Sequence, residues 1–124
     1  MQARTAHISF TAHGPNLGFT INSGSPTTVY IDWGTGEYVK EMSPNGYFYK
    51  DSIPSGATFR ISASSTIKSF ISDPDDNSYL KDFDCTQCTT LEELDVSGNL
   101  LTYTLDLSAL DNLKKLNCSD KFYP

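Results

Sequence analysis

The chain has 124 residues, and its nine basic and fifteen acidic residues give a net charge of −6. Such a composition offers no basic stripe that could follow a phosphate backbone, so it argues against nucleic acid as a partner. An apolar content of 38%, with seven Tyr, seven Phe and one Trp, is too high for a disordered chain and predicts a folded core.

The sequence carries no segment that we recognise as a membrane span or an export signal. No apolar run approaches the roughly 20 residues of a membrane helix. Polar residues follow Met1–Arg4, where a signal peptide would have its apolar segment. We therefore expect no membrane span, and a secreted protein would be present here in its mature form.

Residues 6 to about 66 alternate between apolar and polar side chains with the period of β-strands. Turn-forming segments such as Asn22–Pro26 and Pro54–Gly56 interrupt the alternation about every ten residues, which predicts a small antiparallel sandwich. The apolar positions expected on one face are Ile8, Phe10, Leu17, Phe19, Ile21, Val29, Ile31, Trp33, Phe59, Ile61 and Ala63.

Asn45-Gly46 is a strong signal for a two-residue hairpin turn. It lies between Tyr38 and the aromatic run Tyr47–Tyr49. We therefore predict a further hairpin here, in which aromatic side chains pair across the two strands.

The second half of the chain contains an internal repeat. The segment Phe83–Leu91 returns 22 positions later as Leu105–Leu113, and a fixed period of roughly 20–29 residues is typical of leucine-rich solenoids. Asn99 stands where such a coil turns, since a buried amide can satisfy backbone groups that the turn leaves unpaired. The predicted structural positions are Leu91, Leu94, Val96, Asn99, Leu101, Leu105, Leu107, Leu110, Leu113, Leu116 and Cys118.

The repeat predicts two to three coils, of which the first, beginning at Ile67, is irregular. Its register places short parallel strands near residues 69–72, 93–96 and 115–118. The pattern decays at the end of the chain, where Lys121 and Tyr123 replace the expected Asn and Leu. The predicted fold class is therefore mainly β: a small antiparallel sandwich followed by a short solenoid with parallel strands.

The repeat words Leu94–Asn99, Leu105–Ser108 and Leu116–Ser119 resemble the leucine-rich-repeat surface proteins of anaerobic gut bacteria. In that family a small PKD-like sandwich often precedes the coils, marked by an Asp-Trp-Gly-Asp-Gly turn, and Asp32–Gly36 is similar to it with Thr35 in place of the second Asp. The resemblance implies a sandwich over residues 1–64 and repeats over 65–124. It also implies secretion, a place at the cell surface, and recognition without catalysis. Members of that family usually carry more coils, which leaves truncation of this array open.

Cys85 and Cys88 have the spacing of redox pairs and zinc half-sites. The repeat register, however, aligns both of them, and also Cys118, with apolar positions of other coils. Buried thiols of this kind act as small hydrophobic side chains. We therefore predict that the cysteines occupy core positions and that the chain binds no metal and no cofactor. The redox state of the cysteines stays open, because three cysteines cannot all pair within one chain.

Two turns carry polar groups that suit a ligand. Asp73–Asn77 holds the oxygen ligands that calcium prefers, but it lacks the spacing of an EF-hand loop, so a solvated turn is favoured and calcium stays open. An ion or a sugar bound against Trp33 is one interpretation of the Asp32–Gly34 turn, and a Trp33 that covers the core is the favoured one.

The exposed face of the parallel strands is the predicted binding surface, because each coil adds variable side chains to one sheet. On that face Glu93 and Asp95 should lie beside Lys115 and Asn117. Glu92 and Glu93 are adjacent on a strand and point to opposite faces, so they do not form a catalytic pair. The candidate binding residues are Ser69, Ile71, Glu93, Asp95, Ser97, Lys115, Asn117 and Ser119.

These observations favour a non-enzymatic, extracellular recognition or adhesion module that binds a protein or a glycan through the repeat face. No catalytic residues are predicted. Self-association through the open edge of the solenoid is a second way in which the repeats could form a contact. The alternative function is a carbohydrate-binding module centred on Trp33 and the Tyr47/Tyr49 hairpin.

Overall fold

A computed structural model of the chain describes residues 5–13, 16–34, 36–53, 56–72, 79–96 and 106–117, without the side chains of residues 5, 6 and 79. These residues form strands and turns, and no helix is found among them. The strands are β1 (Thr5–His13), β2 (Leu17–Asn22), β3 (Thr27–Asp32), β4 (Glu37–Met42), β5 (Asn45–Lys50), β6 (Ala57–Ala63), β7 (Ser69–Ser72), β8 (Tyr79–Gln87), β9 (Glu93–Asp95) and β10 (Lys115–Asn117).

The strands form two five-stranded sheets. The first sheet has the order β4-β3-β6-β1-β8 and is antiparallel throughout. The second sheet has the order β10-β9-β7-β2-β5 and is mixed, because β7, β9 and β10 are parallel while β2 is antiparallel to both of its neighbours. The mainly β fold class is thus confirmed.

Alternation along the strands explains why the two sheets stack on each other. Every second residue of a strand faces inward and is buried. In β3 the buried side chains begin with Thr27 and alternate with partly exposed ones. The predicted core positions of the first six strands are buried, except Trp33, which is partly buried against the core. Alternation with one apolar face is what two packed sheets require.

Phenylalanine side chains join the two sheets at the centre. Phe10 of β1 lies 6.1 Å from Phe19 and 5.9 Å from Phe70 of the second sheet, measured between ring centroids. Within its own sheet Phe10 stacks against Phe59 and Phe83 at 5.4 and 5.8 Å. Aromatic pairs of this geometry contribute about 0.5–1.5 kcal/mol each beyond the burial of their area, so this cluster helps to hold the two sheets together.

The predicted parallel strands are confirmed. Phe70 lies opposite Leu94 between β7 and β9, and Leu94 lies opposite Leu116 between β9 and β10. Leu91, Leu94, Val96 and Leu110 are buried, and Leu107 and Leu113 pack partly buried against the core. Asn99, Leu101, Leu105 and Cys118 lie outside the described residues.

Backbone hydrogen bonds recur with the sequence period. The amide of Cys88 donates to the carbonyl of Cys85 at 3.0 Å and that of Leu91 to Cys88 at 3.1 Å. The equivalent bonds 22 residues later join Leu110 to Leu107 at 3.0 Å and Leu113 to Leu110 at 3.2 Å. The same turn is therefore built twice, at positions that the sequence repeat relates.

Two side chains repeat in the same way. Asp84 accepts hydrogen bonds from the backbone amide of Thr86 at 3.0 Å and from its hydroxyl at 2.7 Å. Asp106 accepts the same pair from Ser108 at 2.9 and 2.7 Å. An Asp side chain that accepts hydrogen bonds from the residue two positions later fixes a local turn. This explains why a Ser or Thr stands two positions after the Asp at both places.

The predicted hairpin at Asn45-Gly46 is wrong. Strand β4 pairs with β3 in the first sheet, whereas β5 pairs with β2 in the second, and Asn45-Gly46 lies inside β5. The chain crosses between the sheets at Ser43-Pro44, where the carbonyl of Pro44 accepts bonds from Ser23. Gly46, the second residue of β5, packs closely on Met42: a Cβ at this position would force the Met42 side chain to shift.

Strand β8 was not expected from the sequence. Residues Tyr79–Gln87 pair antiparallel with β1 at the edge of the first sheet, and β7 pairs with β2 in the second. Both sheets therefore contain strands from before and after residue 64. The proposed boundary between 1–64 and 65–124 stays a prediction.

Candidate binding surface on the second sheet

The second sheet has one face against the core and one that is not covered by the first sheet. We call the latter the outer face. On β5, Phe48 points inward and is buried, while Tyr47 and Tyr49 on either side of it are 49% and 51% exposed. The same alternation on β2, β7 and β9 places Thr20, Ile71, Glu93 and Asp95 on the outer face.

A continuous row of side chains crosses this face from one edge of the sheet to the other. Tyr47 lies opposite Thr20, Thr20 opposite Ile71, Ile71 opposite Asp95, and Asp95 opposite Asn117. Neighbouring strands are about 4.8 Å apart, so five strands span about 19 Å. The aromatic end of the face and its repeat end thus belong to one surface.

A second row runs beside the first and is entirely polar. It joins Asn45, Asn22, Ser69, Glu93 and Lys115 through the same ladder. The hydroxyl of Ser69 lies 3.5 Å from Glu93 Oε1. Ser69 is buried among its neighbours, whereas Lys115 and Asn117 are exposed. The expected lateral neighbours, Glu93 with Lys115 and Asp95 with Asn117, are directly opposite each other.

Six of the eight candidate residues therefore lie together on the outer face: Ser69, Ile71, Glu93, Asp95, Lys115 and Asn117. Ser97 and Ser119 are outside the described residues. Together the two rows offer an aromatic end at β5, an apolar group at Ile71, and charges of both signs on β9 and β10.

The residues directly before the three parallel strands alternate in the sign of their charge. Glu92 lies between two lysines, with Oε2 at 3.8 Å from Lys68 Nζ and Oε1 at 3.6 Å from Lys114 Nζ. Backbone bonds follow the same path, from the Glu92 amide to the Lys68 carbonyl and from the Lys114 amide to the Glu92 carbonyl, both at 2.7 Å. Exposed ion pairs contribute only about 0–1 kcal/mol each, so the backbone bonds hold the register.

Beside β5, at the edge where the two sheets face each other, is a cleft of about 400 Å³, which we call the aromatic cleft. It lies where the edge strands β4 and β5 and the turn after β3 meet. The ring of Tyr38 contacts Phe48 at 5.6 Å between centroids. The residues that line the cleft are Trp33, Tyr38, Tyr47, Phe48, Tyr49, Lys50 and Asp51.

Trp33 is positioned by its turn and by Lys50. Its amide donates to the carbonyl of Gly36 at 3.1 Å, and the Gly34 amide donates to Asp32 Oδ1 at 2.7 Å, which closes the turn after β3. Lys50 Nζ lies 4.7 Å from the centroid of the Trp33 ring, a cation–π contact. Trp33 is thus both packed against the core and part of the cleft wall.

Sequence inspection did not place these aromatic residues on the repeat face. The signal was present in the alternation of Tyr47, Phe48 and Tyr49, which separates the two Tyr from the buried Phe. The assumed hairpin directed both Tyr towards β4 instead, so their alignment with Thr20 and Ile71 was missed.

Cys85 and Cys88 are free thiols and fully buried. Burial raises the pKa of Cys85 to about 12 and that of Cys88 to about 11, so both remain protonated near neutral pH. The thiol of Cys88 lies 3.7 Å from the carbonyl oxygen of Ile67. Within the described part of the chain no group of three or more His, Cys, Asp or Glu side chains is suited to a metal ion. Cys118 and the Asp73–Asn77 loop are not among the described residues.

Comparison of the chain with protein-family models, with curated proteins and with solved structures finds no match in any of the three. Among the described residues, no helix has the length and apolar character needed to cross a membrane. The geometry of the outer face and of the aromatic cleft is therefore the basis for a functional proposal.

Proposed function

We propose that this chain is a non-enzymatic recognition module that binds a protein or glycan ligand through the outer face of the second sheet. The observation that carries the proposal is the continuous row from Tyr47 to Asn117, which joins the aromatic edge to the repeat strands. A surface that combines aromatic, apolar and charged groups on rigid strands is suited to recognition.

The architecture that we propose is a small sandwich whose second sheet continues into a short leucine-rich-repeat array. The recurrence of the Cys85–Leu91 hydrogen bonds at Leu107–Leu113 supports it, as do the stacked parallel strands β7, β9 and β10. An extracellular or cell-surface location is part of the proposal and rests on the resemblance of the repeat words alone.

The proposal assigns no catalytic role to the four groups with shifted pKa values. Hydrogen bonds from Thr86 lower the pKa of Asp84, and those from Ser108 lower the pKa of Asp106. Burial raises the pKa values of Cys85 and Cys88. All four shifts lead away from the neutral range in which a general acid or base works.

The proposal can be tested with arrays of extracellular proteins and of glycans, probed with the biotinylated chain. The double variant Ile71→Arg/Asp95→Arg changes the centre of the outer face and should abolish binding of the ligands that the wild-type chain captures. A matched control is Val39→Arg/Glu41→Arg, which makes the same charge change on the solvent side of the first sheet, opposite Tyr30 and Thr28.

The control variant should bind as the wild type does, and circular dichroism should show that both variants are folded. Equal capture by the wild type and by Ile71→Arg/Asp95→Arg would refute the proposal, because a ligand on the outer face would meet two new cations. Loss of binding only in Val39→Arg/Glu41→Arg would assign recognition to the first sheet instead.

A further inference from the structure

We infer that the aromatic cleft binds a neutral saccharide. This inference rests on the proposed function, because Tyr47 and Tyr49 belong to both the cleft and the outer face. It goes further by naming the class of ligand and by placing that ligand at the edge of the sheet beside β5.

The cleft has the size and the support of a small-ligand site. Its volume of about 400 Å³ falls within the roughly 300–1,000 Å³ of pockets that hold small molecules. Its walls are held by the ladder between β5 and β2 and by Phe48, whose ring contacts Phe19 at 5.0 Å and Tyr38 at 5.6 Å. Side chains fixed on strands in this way lose little conformational freedom when a ligand binds.

The exposed rings match the apolar side of a sugar. Tyr38, Tyr47 and Tyr49 all line the cleft, and they are 42%, 49% and 51% exposed. A Tyr ring presents an apolar face together with a hydroxyl group. A saccharide has the same dual character, because its C–H face stacks on a ring while its hydroxyl groups need hydrogen-bond partners.

The charged residues of the cleft favour a neutral ligand. Lys50 and Asp51 are adjacent and both line the cleft. The Lys50 ammonium group only donates hydrogen bonds, and the Asp51 carboxylate only accepts them. Their opposite charges offset each other, so this pair gives the cleft no net charge that would favour an anion or a cation. A hydroxyl group can accept from Lys50 and donate to Asp51, so sugar hydroxyls satisfy both side chains.

Trp33 supplies a direct readout, because it is the only tryptophan in the chain. Lys50 Nζ lies 4.7 Å from its ring centroid, so a ligand that draws the ammonium group away changes the surroundings of the indole. The emission of Trp33 should therefore change when the cleft is occupied.

The test is a titration of the full chain with neutral hexasaccharides of glucose, xylose, mannose and N-acetylglucosamine, followed by Trp33 emission and by calorimetry. At least one of them should give saturable binding with a change in emission. Tyr47→Ala and Tyr49→Ala should each weaken that binding roughly five- to tenfold, as expected for loss of one stacked ring.

Two controls separate the rings from general damage to the fold. Tyr49→Phe keeps the ring and should retain most of the affinity, whereas Tyr30→Ala removes a ring from the outer side of the first sheet and should leave binding unchanged. Because Tyr47 and Tyr49 are half exposed, their Ala variants should stay folded, with a free energy of unfolding lowered by only about 1 kcal/mol.

Three results would overturn the inference: no binding of any of the four saccharides at millimolar concentration, equal binding by the Tyr47→Ala/Tyr49→Ala variant, or stronger binding of a lysine-rich peptide than of every saccharide. The proposed function fails separately, because it predicts sensitivity to Ile71→Arg/Asp95→Arg. A ligand lost in that variant but retained in Tyr47→Ala/Tyr49→Ala would keep the outer face as a binding surface and exclude the cleft.

Discussion

The same substitution at two equivalent repeat positions should have unequal effects on stability. Leu94 and Leu116 are 22 residues apart and lie side by side between β9 and β10, yet Leu94 is 0% exposed and Leu116 is 45% exposed. Leu94→Ala removes fully buried groups and leaves a cavity, which typically lowers the free energy of unfolding by about 2–5 kcal/mol. Leu116→Ala should lower it by only about 1 kcal/mol, because almost half of that side chain already meets water.

Urea unfolding, followed by the emission of Trp33 and by circular dichroism, measures both losses. The slopes of the transitions should stay equal, so that the shift of each midpoint reports stability alone. A domain of ordinary stability, about 5–15 kcal/mol, should remain folded in either variant. Equal losses in the two variants would refute the position of β10 as the edge strand, since Leu116 would then have to be covered as Leu94 is.

Three further predictions concern pH, thiol chemistry and the crossing between the sheets. Hydrogen bonds lower the pKa of Asp84, so its charge stabilises the fold above about pH 4, and that contribution is lost as the pH falls through the lowered pKa. In urea titrations the stability difference between the wild type and Asp84→Asn should shrink steadily below that pH. Cys85 and Cys88 are buried and protonated, so peptide mapping should find them labelled by a thiol reagent only after unfolding. Gly46→Val should lower stability by about 1–3 kcal/mol, because Met42 occupies the space of the new side chain, and a midpoint unchanged in urea would contradict that contact.

Two regular patterns made much of the fold predictable from the sequence. The two-residue period identified the buried faces of the first strands, from Ile8 and Phe10 to Ile61. The 22-residue period placed β9 and β10 beside each other in the observed register. Both predictions succeed for the same physical reason: one face of each strand must be apolar if two sheets are to pack.

Strand β8 was not predictable, because its apolar positions do not keep the period of a strand. Leu80, Phe83 and Cys85 are buried, but the spacing between the first two is three residues. The structure accommodates the extra residue with a register shift against β1 and a positive φ of 52° at Asp82. A bulge of this kind breaks the alternation that sequence inspection relies on.

The candidate site was only half predictable, because its two ends meet through a long-range pairing. The repeat register gave Ile71, Glu93 and Asp95 a common face. Nothing local in the sequence indicates that β2 pairs with both β5 and β7, and the Asn45-Gly46 turn signal favoured a different partner for β5. Register within a repeat is a local property, whereas the order of strands in a sheet is set by the packing of the whole core.

The position of β7 has a consequence for how such a surface can vary. It is antiparallel to β2 on one side and parallel to β9 on the other, so it joins the sandwich part of the sheet to the repeat part. Each further parallel strand would lengthen the outer face by about 4.8 Å, whereas Tyr47 and Tyr49 remain fixed at the opposite edge. The class of ligand bound in the aromatic cleft can therefore stay the same while the repeats change the length and charge of the surface beside it. The cleft would then determine the type of ligand, and the number of repeats its size.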